Sequence, residues 1–143
     1  MSLTAKQHVD YWLKGASENI IDMRSNLKSK RRVAALFFGH LAIEKMLKAL
    51  CAAKRTVIPF DHKLLKLAKE AGLVLSQAQE MELGIITSFN ISARYDDYKL
   101  RFHQLCTPQY TSMWVTKINA WHKYLKLLVI QERTNLQNNT PIR

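Results

Sequence analysis

The sequence predicts an all-α fold: an antiparallel up-and-down helical bundle of four long helices plus one short helix. Three observations carry that expectation. Apolar residues recur at every third or fourth position through most of the chain. Only four Gly and three Pro punctuate its 143 residues, sparse for a fold with many strand turns. No segment longer than a few residues alternates with the period of a strand. At 48% hydrophobic and 23% charged, the chain has the make-up of one packed domain, not of a disordered segment.

The elements follow in order. Thr4 with Gln7 three positions on forms a capping box that opens the first helix. Val9, Trp12, Ala16, Ile20, Met23 and Leu27 then form one apolar stripe, running to about Lys28. A basic connection of Lys28, Lys30, Arg31 and Arg32 leads into a second helix that ends near Lys54. Val33, Leu36, Phe37, Phe38, Leu41, Ile43, Met46, Leu47 and Leu50 cover most of its girth, which marks it as the central helix. Its one polar strip is His40, Glu44 and Lys48. Pro59 closes that region, Asp61 is the expected N-cap of a short helix from Leu64 to Ala71, and Gly72 is its stop. Ser76 and Gln79 repeat the capping box and open a fourth helix, which should fray near Ile91. From Ser92 to Thr107 the helical period is poor, so an irregular segment is expected. Thr107-Pro108 then starts a last helix, with Tyr110, Trp114, Ile118, Trp121, Leu125 and Leu128 on one face. The domain should span residues 4–134, leaving 135–143 as a loose polar tail.

Charge narrows the function classes. Lys and Arg total 22 against 11 for Asp and Glu, a formal charge of +11. Such an excess attracts nucleic acid, nucleotides or an acidic protein partner; a generally basic, solvated surface is the other reading. The apolar stretch from Val33 to Cys51 is interrupted by His40, Glu44, Lys45 and Lys48, so it is no membrane span. With no basic-then-apolar leader and two isolated cysteines, Cys51 and Cys106, a reducing cytoplasmic setting is expected. His103 and Cys106 lack a second ligand pair, so neither a metal site nor a cofactor is expected.

Several stretches together resemble the HEPN domain family. They are Tyr11-Trp12, the run ALFFGHLAIEKMLKAL from Ala35 to Leu50, His62 with Leu64, Leu65 and Leu67, the run FNISARYDDYK from Phe89 to Lys99, and the aromatic last helix. The resemblance covers roughly Ala5 to Leu128. It implies a helical bundle that often dimerises, and a frequent genomic neighbour, a small nucleotidyltransferase, in a toxin–antitoxin or related two-component system. It also implies that many members are metal-independent ribonucleases, in which an Arg is followed after four to six residues by a His. In that chemistry the His moves a proton at the ribose 2′-hydroxyl and the Arg stabilises the charge developing on phosphorus.

This chain departs from that motif. Eight residues separate Arg94 from His103, and one separates Arg101 from His103. Arg55 and His62 have the formal spacing but flank Pro59, outside the motif's context, and are read as coincidence. The leading expectation is therefore a non-catalytic or weakly catalytic module that binds a nucleotide, RNA or a nucleotidyltransferase partner. The alternatives are a divergent ribonuclease using Arg94 or Arg101 with His103, and a homodimeric scaffold without a ligand.

Candidate nucleotide- or phosphate-binding residues are Arg94, Tyr95, Asp97, Lys99 and His62, with Arg94 and Lys99 on a phosphate and Tyr95 stacked on a base or ribose; Lys28, Lys30, Arg31 and Arg32 form a second basic patch. Each has a bland counterpart. Arg94 could pair with Asp96 or Asp97, His62 could cap or pack a helix end, His40 could be a hydrogen-bonded, partly buried histidine, and the basic patch could be a solvated turn.

Overall fold

The computed structural model describes residues 3–138, with the side chains of Asp96, Asp97, Gln137 and Asn138 outside the described residues. It is all-helical: α1 (Ala5–Lys28), α2 (Arg32–Ala53), α3 (Leu64–Glu70), α4 (Gln77–Arg94), α5 (Asp96–Leu105) and α6 (Pro108–Asn138). Both capping boxes form. The amides of Gln7 and Gln79 donate to Thr4 Oγ1 and Ser76 Oγ at 3.1 Å, and each glutamine Oε1 accepts the cap amide at 2.9 Å. Two donors that a helix start leaves unpaired are thereby satisfied at each site.

As its apolar girth predicts, α2 is central and touches α1, α3, α4, α5 and α6. The three-residue α1–α2 connection folds the two into an antiparallel hairpin, the most extensive pairing in the molecule. Gly39 lets α6 approach closely, because a Cβ there would lie 2.6 Å from Ile118 Cδ1. Phe89 of α4 joins the core to α5 and α6, stacking on Phe102 at 5.5 Å and meeting Trp114 edge-on at 5.6 Å.

Three helices end in the left-handed conformation. Lys30 (φ 62°), Arg55 (φ 60°) and Gly72 (φ 78°) each follow a helix. In each case the next residue's amide reaches back five positions: Arg31 to Asn26 at 2.8 Å, Thr56 to Cys51 at 3.0 Å and Leu73 to Ala68 at 3.0 Å. Gly72 stops α3 as expected. The two longer helices make the same turn with a side chain present, which costs about 1 kcal/mol per site.

Four boundaries differ from expectation. Asp61 does not cap α3; it lies two residues ahead of the N-cap Lys63, whose amide its Oδ1 accepts at 3.0 Å, while the Leu64 amide donates to Thr87 Oγ1 of α4 at 3.2 Å. Helix α4 continues through Arg94 instead of fraying near Ile91. The expected irregular segment instead forms α5. Its apolar period is weak because Phe102 and the following Cys106 are its inward anchors among the described residues, while Tyr98, Leu100 and Leu105 face out. Helix α6 runs on through Asn138, past the expected start of the tail at Asn135; residues 139–143 lie outside the described residues.

Candidate functional site

The α1–α2 turn, the end of α4 and the outer face of α5 meet around a cleft of about 560 Å³. Its rim carries Lys30 and Arg31 from the turn, Arg32 from the first position of α2, Arg94 from the last turn of α4, and Lys99 and His103 from α5. Its floor is apolar: Val33, Ala34 and Phe37 of α2 with Ala93 of α4. Five permanent cations thus surround an apolar floor, and no carboxylate lines the cleft among the described residues. Among the described residues these like charges have no carboxylate between them, which concentrates positive potential at the cleft.

Local geometry sets each rim group. Arg94 Nε donates to the Asn90 carbonyl one turn back at 3.2 Å, and the guanidinium lies 5.6 Å from the Tyr95 ring centre. Among the described residues Arg94 has no ion pair, and the partners considered for it, Asp96 and Asp97, have side chains outside the described residues. Lys30 reaches the rim from its left-handed turn. Arg94 is also close enough to His40 to oppose its protonation, which places the cleft beside the polar strip of α2.

The structure therefore unites two groups that are far apart in sequence, Lys30-Arg31-Arg32 and Arg94-Lys99-His103. It leaves others out. Lys28 and Arg101 are exposed but do not line the cleft, nor does Tyr95, whose ring faces Arg94. Asp97 lies outside the described side chains. Arg55 lines a separate groove with Glu132, Asn135 and Leu136, and no hydrogen bond joins it to His62 among the described residues. The floor residues Val33, Ala34, Phe37 and Ala93 are not singled out by the sequence; on a helix apolar on most sides, nothing marks which apolar residue faces a cleft.

His62 belongs to a second constellation. Its Nδ1 lies 2.8 Å from Glu44 Oε1, while Lys48 Nζ donates to Glu44 Oε2 at 3.1 Å. Its backbone carbonyl accepts from His40 Nε2 at 3.2 Å. His40 is fully buried, and burial pushes its pKa below the usual histidine value, against the opposing pull of the His62 carbonyl and Glu44. Burial therefore favours the uncharged His40 ring, whose Nε2 donates to the His62 carbonyl and lies 3.8 Å from Glu44 Oε1. The sequence marks each histidine separately, because a contact between residues 44 and 62 leaves no trace in local spacing.

Among the described residues no group of three or more His, Cys, Asp or Glu side chains is arranged to hold a metal ion, and no helix is long and apolar enough to cross a membrane. No curated protein and no solved structure matches the chain. A family model described as HEPN domain matches residues 9–126, which takes in α2 to α5 whole and most of α1 and α6. The chain belongs to the HEPN domain family.

Proposed function

We propose that this HEPN domain is the phosphate-binding half of a two-component, toxin–antitoxin-like pair. In this reading the cleft takes the phosphates of a nucleotide or RNA, and a nucleotidyltransferase-domain protein is the partner. The observation that carries it is the cleft itself, five cations around an apolar floor. Phosphates suit the rim, and a base suits Phe37, since aromatic stacking is tolerant of sequence. Binding of a labelled RNA oligonucleotide and of a labelled nucleotide, measured by fluorescence anisotropy, tests it. The double change Arg31→Glu and Arg32→Glu is expected to weaken binding at least about tenfold at low salt. Unchanged affinity for both ligands rejects the cleft. Co-expression with the neighbouring gene's product tests the partner, and sedimentation tests the homodimer expected of the family.

One observation favours a second reading. Arg94 and His103, which lack the ribonuclease spacing in sequence, line the same cleft. RNA cleavage without metal that is lost in His103→Ala supports a divergent ribonuclease; cleavage that survives the change removes His103 from the chemistry.

A further inference from the structure

The His62 ring is held at its inner edge and open at its outer one. A carboxylate oxygen accepts, so the hydrogen on the 2.8 Å contact sits on Nδ1, and in the neutral ring Nε2 keeps its lone pair. Glu44 cannot swing away: its side chain is 6% exposed and is gripped on the other oxygen by Lys48. The backbone beneath the ring is pinned by His40. Yet the His62 side chain is 56% exposed. A buried carboxylate aligning one nitrogen of a largely exposed imidazole is the arrangement that activates an imidazole, because the carboxylate stabilises the positive charge appearing on the ring when Nε2 forms a bond. Among the described side chains none of His8, His103 or His122 has a carboxylate partner, and His40 is closed to solvent.

We propose that His62 is a phosphoryl-acceptor site, with Nε2 taking a phosphoryl group from an activated donor of the phosphoramidate or acyl phosphate class. The Nε2 lone pair forms the new N–P bond. The donor's P–N or P–O bond breaks, and its electron pair leaves with ammonia or with the carboxylate. The ring keeps the Nδ1 hydrogen and carries a positive charge beside Glu44. A phosphoryl group fits better than an uncharged acyl group because lysines outnumber carboxylates on the groove that begins at the next residue. His62 directly precedes Lys63, which with Lys66 and Lys69 lines a groove of about 610 Å³ between α3 and α4; Glu70 is the one carboxylate on that groove among the described residues, and the neighbouring Asp61 is paired with Lys66 at 3.3 Å. This site is independent of what the basic cleft binds.

The test is to incubate the full chain with phosphoramidate or, separately, with acetyl phosphate, and to follow each histidine by mass spectrometry at a pH that preserves phosphoimidazoles. His62 should gain an acid-labile phosphoryl group at least about tenfold faster than His8, His103 or His122, with His40 unmodified. A folded Glu44→Gln chain should label His62 no faster than those other histidines. The comparison among histidines within the unaltered protein requires no variant to fold. Labelling of His62 at the rate of the other exposed histidines, absence of labelling with both donors, or an undiminished rate in folded Glu44→Gln overturns the proposal. A merely structural clamp predicts that equality of rates.

Discussion

Glu44 shows how one side chain can organise a region. It is 4% exposed, and it connects Lys48 of its own helix to His62 of the α2–α3 connection. Glu44→Ala removes both bonds to charge-bearing groups, yet Lys48 and His62 can recover water. The expected loss is about 1–3 kcal/mol by chemical denaturation. His40 beside it makes stability depend on pH. Burial lowers its folded-state pKa below that of an ordinary histidine, so as pH falls the unfolded chain takes up a proton before the folded one does. Stability should therefore decline as pH drops below about 6.5 and stop declining from this source once the folded value is passed. His40→Gln should flatten that slope in urea titrations run at a series of pH values. A residue of the slope should survive, because His122 is shifted the same way by burial. Cys106, pushed up to about 11 by burial, is an idle thiol by the same physics.

At the scale of elements, helix ends and the late helix α5 decide most. Lys30 and Arg55 both hold the left-handed turn that glycine adopts freely. Arg55→Gly should stabilise by up to about 1 kcal/mol in thermal unfolding. Lys30→Gly should give the same gain while weakening anion binding, since Lys30 lines the cleft. Stability and affinity moving in opposite directions is the mark of a residue kept in strain for its charge; if affinity does not fall, Lys30 is no ligand. Helix α5 was not legible beforehand because a helix docked through Phe102 and Cys106 carries no stripe to read. Phe102→Ala should cost about 3 kcal/mol. Amides of 96–105 should then exchange faster than those of α2, as expected of a unit that opens on its own.

For the whole molecule, the net charge of +11 is less informative than where it concentrates. Five cations share one cleft. If three of them contact single-stranded RNA phosphates, the logarithm of the binding constant should fall with the logarithm of salt at a slope near −2. The double Arg31→Glu and Arg32→Glu change should reduce that slope by about 1.4. An affinity insensitive to salt would place binding elsewhere.

The local signals were sufficient for much of the architecture. Two capping boxes, the apolar stripe of α1, the central character of α2, the glycine stop of α3 and the start of α6 were all readable, because each depends on residues within a few positions of one another. Tertiary packing alone decided the rest. It turned 96–105 into a helix by giving Phe102 a place against Phe89, and it closed two distant basic segments over Phe37. It also set His62 on a carboxylate eighteen residues earlier. Such pairings are made by the direction in which whole helices cross, and no short window of sequence contains both sides of them.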